Sequence, residues 1–366
     1  MALDYLVVGS GLTGAVIARQ LHDAGFHVQV VDRRPHLAGN VHDSLHSSGI
    51  RVHNYGPHYF RTSNKRVWEF VGRFATFEPF TAEIRVRFGS DLENWPIAGS
   101  YIRREIGTDW KPAYEGPVAN FEQAALSVMP RSVFDRFIKE YTEKQWGKPA
   151  NELSAALFSR IEIHHDDDPR LKPKATYQGI PRNGYTDLVA QLLKDIPTVV
   201  DFDFLQNREV YLPECKTVFT GPIDEFFDFD LGSLDYRGQK REVSYLPDTD
   251  LHQPCVQVNE PLHAGGRHIR TIEWKHLPSG SNEEPVTGTV LTRETPYSPS
   301  EPNDFEYPFP DRTNRGLYQQ YRERAEQLED VLICGRLGEY RYMDMDQAIA
   351  RALWQAGTLI GGPDED

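Results

Sequence analysis

A glycine turn between an apolar run and a helical one is the first place where residue types imply chemistry. Tyr5-Leu6-Val7-Val8 leads into Gly9-Ser10-Gly11-Leu12-Thr13-Gly14-Ala15, and Val16 to Ala24 continues with helical spacing. In such a strand–turn–helix, Gly9 permits the tight turn, Gly11 lets backbone approach a pyrophosphate at the positive helix end, and Gly14 lets helix and strand pack closely. A second apolar run, Val28-Gln29-Val30-Val31, ends at Asp32, eighteen residues after Gly14, where a dinucleotide fold places the carboxylate that grips ribose hydroxyls. The basic turn and small-residue loop that follow, with Arg33, Gly39 and Asn40, suit the wrapping of a second pyrophosphate face and point to FAD rather than NAD. A companion signal stands near the C-terminus. Val331 to Cys334 reads as a buried strand ending in Gly335-Arg336, and a helical run from Asp346 to Gln355 would aim its N-terminal dipole at the edge of a reduced flavin.

Further along lie four segments rich in aromatic and polar side chains: Tyr141-Thr142-Glu143-Lys144-Gln145-Trp146-Gly147, Tyr177-Gln178-Gly179-Ile180-Pro181, Gly221-Pro222-Ile223-Asp224, and Gly335-Arg336-Leu337-Gly338-Glu339-Tyr340-Arg341-Tyr342-Met343-Asp344-Met345. Together, and in order from about Tyr5 to Gly357, they resemble the UDP-galactopyranose mutase family. The resemblance implies an isomerase that exchanges pyranose and furanose forms of a nucleotide sugar, UDP-galactose or a related UDP- or dTDP-hexose. It would do so by covalent catalysis at N5 of reduced FAD, without net redox change. It also implies an external reductant such as NAD(P)H, a possible homodimer, and a place in cell-surface polysaccharide synthesis.

Residue by residue, the resemblance makes Gly9, Gly11, Gly14, Asp32, Arg33, Gly39, Asn40, Arg336, Asp344 and Met345 cofactor contacts. Tyr141 and Trp146 would hold the uracil, and Tyr177 would stand on the nucleotide side. Tyr307 and Tyr342 would offer phenols to the diphosphate, which they can do without carrying charge. Arg270 would clamp an anion in the cleft, the alternative being a strand-edge salt bridge with Glu273. His58, in Tyr55-Gly56-Pro57-His58-Tyr59-Phe60, would lie against the flavin; with Arg270, Tyr307 and Tyr342 it forms the expected catalytic set. Three departures accompany these matches. Arg61 stands where the family usually has a histidine, Ala98 follows Asn94-Trp95-Pro96-Ile97 where the family has an asparagine, and His164 aligns with the mobile-loop arginine that clamps diphosphate. Arg170, in the same loop, could compensate. Two other readings stay open: an FAD oxidoreductase acting on a sugar or amine, and a non-catalytic FAD-binding partner protein.

Positioning these groups calls for an α/β fold. A Rossmann-like FAD domain is expected from three separate pieces, residues 1–75, 176–240 and 312–366. A small helical insertion would fill 100–160, with Phe134, Phe137, Ile138 and Tyr141 on one face. Alternating stretches such as Glu83 to Phe88 and Cys255 to Asn259 predict an antiparallel substrate-binding sheet from 76–99, 161–175 and 241–311. The tract His164-His165-Asp166-Asp167-Asp168 precedes Pro169 and basic residues and reads as a solvated loop; no metal site is expected.

Across 366 residues, 40 basic and 54 acidic side chains leave a formal charge of −14, which argues against nucleic-acid or anionic-membrane binding through a long-range field. An anionic small molecule would have to be met locally, by arginines or helix ends in a cleft. Three cysteines, far apart, provide no disulfide framework or zinc ribbon, and no apolar run reaches membrane-span length, so a reducing cytoplasm is the expected setting.

Overall fold

The computed structural model describes residues 2–160, 166–171, 174–278, 286–309 and 311–361. The strand Tyr5–Val8 lies at the centre of a parallel sheet, between Val28–Val31 and Lys216–Phe219, with Thr198–Val199 and Val331–Ile333 outside them. β-Branched runs buried on both faces suit such a sheet. Val7 and Val30 are fully buried and paired in register, and the helix Leu12–Asp23 packs its apolar side over them together with the helix Met345–Ile360. That contact depends on Gly14, where a Cβ would fall 1.9 Å from the Gly9 carbonyl oxygen. The two chain ends are thereby joined in one core.

The second sheet has seven strands, in the order Tyr307–Pro308, Tyr236–Leu246, Thr289–Tyr297, Arg270–Glu273, Gln257–Asn259, Ile84–Phe88, Asp91–Trp95. Its pairings are antiparallel except that Gln257–Asn259 runs parallel to Ile84–Phe88. The expected antiparallel sheet is therefore mixed. Its reason is topological: the hairpin Ile84–Trp95 joins strands far along the chain, and no tight turn dictates the direction at that joint. The expected boundary at residue 240 is likewise corrected, because Tyr236–Leu246 runs unbroken through this sheet.

Against the second sheet lies a helical layer that includes Gly99–Glu105, Phe121–Leu126, a π-turn at Phe134–Lys139 and the helix Glu140–Trp146. Phe134, Phe137 and Ile138 face a core shared with Val86 and Phe88 of the second sheet. Two buried cations tie this layer down. Lys144 Nζ donates to the carbonyls of Glu260, Leu262 and His268 at 2.6–3.3 Å, and Arg237 donates to the carbonyls of Lys144 and Gln145, capping the last turn of Glu140–Trp146. Among the described residues, no helix is long and apolar enough to cross a membrane.

Candidate active site

The turn that opens the helix Leu12–Asp23 borders a cavity of about 190 Å³, walled by Gly9, Gly11, Gly14, Asp32, Arg33, Gly39, Asn40, Arg336 and Met345 among others. Of the residues expected at the cofactor, Asp344 alone is not in this wall. It caps the helix Met345–Ile360 and accepts a hydrogen bond from the Tyr342 hydroxyl at 2.8 Å. Gly39, at φ +50°, brings its backbone against Gly11, and a Cβ on Gly39 would stand 3.0 Å from the Gly11 Cα. The helix start at Gly11 has no side-chain cap and no acid in its first turn, so its N–H groups are left for an anion. One oxygen of Asp32 accepts from the Ser10 backbone and hydroxyl, both at 2.7 Å, and the other from the Arg34 backbone at 2.9 Å, leaving lone pairs for a hydroxyl ligand. Arg33 pairs with Glu225 at 2.5 Å. Asp203, Thr220 and Gly221 also line this cavity; the glycine following the apolar run Lys216–Phe219 was the available signal for the last two.

Against this cavity opens a larger cleft, and His58, Arg336 and Met345 belong to both walls. The Nδ1 atom of His58 is sealed from solvent without a partner among the described residues. Burial, the neighbouring His53 ring and the Arg336 and Arg241 charges all push its pKa well below the ordinary histidine value, so the ring is neutral. The rings of Tyr307 and Tyr342 stack at 6.1 Å, and the Arg336 guanidinium faces both. That guanidinium is fixed by the Met343 carbonyl at 2.8 Å.

Arg270 reaches the cleft from the strand Arg270–Glu273, with its Nε on Glu294 at 2.5 Å. The expected alternative partner, Glu273, is not involved: strand alternation turns its side chain to the opposite face, where it accepts from the backbones of His252 and Gln253 and from Thr289. The other oxygen of Glu294 takes Arg241 at 2.9 Å, and Arg241 grips Glu306 through two bonds of 2.8 Å. Two cations and two carboxylates thus form a row immediately before Tyr307. Burial opposes the charge on Glu294, but Arg270 and Arg241 hold its carboxyl below the usual range. Burial pushes the Glu306 carboxyl up despite Arg241, and raises the Tyr307 phenol, which stays protonated and able to donate.

Tyr141 and Trp146 line the cleft, Tyr141 beside Trp95 and Trp146 edge-on to Phe309. Tyr177 does not join them. It stacks on Trp68 at 5.1 Å with planes 10° apart, outside the lining of both cavities, because its strand Tyr177–Pro181 pairs with Phe60–Thr62 and Phe77–Glu78 in a separate small sheet. Arg170 is likewise outside the cleft lining, its exposed guanidinium bonded to both carboxylate oxygens of half-buried Asp168. His164 lies outside the described residues. Of the acidic tract, Asp166 and Asp167 are exposed, and Asp167 accepts the Ser100 backbone N–H at 2.7 Å in the first turn of the helix Gly99–Glu105.

Sequence reasoning missed Tyr59, Gln257 and Asn259. All three line the cleft, and Gln257 links the other two by accepting from the Tyr59 hydroxyl and donating to Asn259. Polar side chains at alternate positions of a buried strand were the signal for Gln257 and Asn259.

Residues 136–342 match the family model described as UDP-galactopyranose mutase, and residues 7–74 match that of an NAD(P)-binding Rossmann-like domain. The chain is 31% identical over 375 residues to a dTDP-fucopyranose mutase of Escherichia coli, covering 97% of this chain and 98% of the relative. It is 30% identical to a probable UDP-galactopyranose mutase of Klebsiella pneumoniae, over 98% and 94%. A crystal structure of reduced UDP-galactopyranose mutase superposes with a TM-score of 0.79 over 100% of this chain and 97% of the other, a likeness of fold at 14% identity. With more than half its length in one family model and near-complete alignment to these relatives, the chain belongs to the UDP-galactopyranose mutase family and is an isomerase of that type.

Proposed function

We propose that the protein interconverts the pyranose and furanose forms of a UDP- or dTDP-hexose, with FAD held in the glycine-turn cavity. The observation that carries this reading is the shared wall of His58, Arg336 and Met345, which brings a dinucleotide cavity up against a cleft bearing phenols, an arginine and aromatic rings. The Gly11–Gly39 approach and the uncapped helix start leave room and donors for a pyrophosphate. Reduced FAD, when bound, supplies a nucleophilic nitrogen for the anomeric carbon.

The protein's own groups do the rest. Trp146 and Tyr141 offer ring faces to the base. Arg270, pinned at Nε by Glu294, keeps its terminal nitrogens for the diphosphate that departs and returns, and the protonated phenol of Tyr307 adds an uncharged donor beside it, while the Tyr342 hydroxyl is spent on Asp344 and its ring stacks on Tyr307. Such a constellation retains the leaving group while the sugar changes ring size. A purely redox enzyme has no need of it. His58, neutral and sealed at Nδ1, offers a fixed hydrogen-bonding face at the meeting of the two cavities rather than a charged acid.

The direct check is on cofactor and state: denaturing the purified protein releases FAD, and only the reduced holoprotein converts a UDP- or dTDP-hexopyranose. Tightly bound NAD without flavin, or equal turnover by oxidised protein, would overturn the proposal.

A further inference from the structure

His58 stands on the wall shared by the two cavities with its Nδ1 unpartnered among the described residues, so the aim of its ring is set through its main chain. Both polar groups of that main chain are gripped by side chains that line neither cavity. The His58 N–H donates to Nδ1 of His53 at 3.1 Å, and the His58 carbonyl accepts from the Tyr185 hydroxyl at 3.0 Å. Both His53 and Tyr185 are fully buried. An imidazole and a phenol are costly to bury where an apolar ring or leucine would fill the same space, unless their polar atoms have a task there.

The two grips come from distant segments that one carboxylate joins. Asp43 lies directly across from His53 in the paired strands Asp43–Leu45 and Arg51–His53. Its two oxygens accept the backbone N–H groups of Tyr185 at 2.7 Å and Thr186 at 3.1 Å, where the helix Tyr185–Leu192 begins. The His53 ring is wedged edge-on against the Tyr185 ring at 5.4 Å and beside Trp274 at 5.0 Å, and Trp274 is fixed in turn by its Nε1 donor on Thr292. Because the His58 N–H donates into Nδ1 of His53, the neutral His53 ring carries its proton on Nε2. Gly56, at φ +98°, makes the turn that leads into the gripped residue.

We propose that His53 and Tyr185 are positioning residues for the reaction, holding the His58 peptide from both sides so that its ring stands against the bound flavin. The inference rests on the flavin reading above. A group that works through placement loses its effect when the support behind it moves by a fraction of an ångström to an ångström.

The test uses full-length FAD-loaded protein as wild type, Tyr185→Phe, His53→Leu, His53→Asn and His58→Ala. Tyr185→Phe keeps the ring and its packing while removing the donor, and His53→Asn keeps an acceptor oxygen near the Nδ1 position. Flavin content and melting temperature report folding; the readouts are the flavin absorbance bands, the flavin midpoint potential, and kcat and KM with UDP-galactose or a dTDP-hexose. Tyr185→Phe and His53→Leu are expected to move the bands and the potential in the same direction as His58→Ala and to lower kcat about tenfold with KM little changed, while His53→Asn stays close to wild type. Flavin-replete Tyr185→Phe with the bands, potential and kcat of wild type would overturn the inference even if His53→Leu failed to fold. A lower melting temperature with unaltered flavin properties would also overturn it, leaving the two side chains a purely structural role, and so would an unaltered flavin in His58→Ala. Wild type that holds no flavin would bring down the flavin reading and this inference together, whereas flavin-loaded, active wild type with silent variants brings down this inference alone.

Discussion

Arg270 and Glu294 are directly cross-strand partners in the second sheet, so the arginine's aim into the cleft is a consequence of strand register. They are 24 positions apart in sequence, which is why the only carboxylate partner that local spacing offered, as the alternative to a clamp, was Glu273. The opposite residue on a paired strand cannot be read from the chain before the pairing is known. A second residue-scale consequence concerns His53, which is buried, leaves Nε2 unpartnered, and has its pKa lowered by burial to about 4. The unfolded chain binds a proton at this site near pH 6.5, while the folded one resists until about pH 4. The stabilising difference is therefore complete above 6.5 and is lost as pH falls between those values, at up to about 1.4 kcal/mol per pH unit. His58 shifts in the same direction. Urea unfolding of wild type is expected to show falling stability from pH 7 to pH 5, and His53→Gln a shallower fall; equal slopes would remove His53 from the account.

At the scale of elements, the strand, glycine turn and helix were legible because their signals are local: an apolar run, glycines at fixed spacing and a second run ending in Asp32. The C-terminal return at Gly335-Arg336 was legible for the same reason. Two glycine substitutions separate the turn's two jobs. Gly14→Ala drives a Cβ against the Gly9 carbonyl oxygen, so it should destabilise the whole parallel-sheet core and give little folded protein. Gly11→Ala meets nothing nearer than the Gly39 Cα at 3.9 Å, so the fold should survive while the added methyl crowds the pyrophosphate position. The expected outcome is a soluble Gly11→Ala protein with near-normal secondary structure and strongly reduced flavin content. Full flavin content in that variant would show that the pyrophosphate does not approach there. The seven-stranded sheet was less legible. Its edge hairpin and its central strands come from distant parts of the chain, and the parallel joint between them has no sequence signal. Tyr177 shows the same limit: its stacking on Trp68 follows from a small sheet assembled from three separated segments.

At the scale of the molecule, the helical layer carries Tyr141 and Trp146, the second sheet carries Arg270 and Tyr307, and the Rossmann-like domain contributes His58, Arg336 and Tyr342. The site exists only where all three meet, and Lys144 and Arg237 hold the helical layer onto the sheet from inside. Under the proposed function, an acidic chain would thereby meet its anionic substrate with a few local donors rather than an attractive overall field. The central claim is that this arrangement serves ring isomerisation with no net electron transfer. The most direct measurement is to follow UDP-galactose and dTDP-hexoses with photoreduced protein under anaerobic conditions, reading sugar ring form by NMR and flavin oxidation state by absorbance in the same sample. The account predicts many turnovers of furanose formation per flavin, with the flavin still reduced at equilibrium. One flavin oxidised for each sugar consumed, with no furanose product, would contradict it.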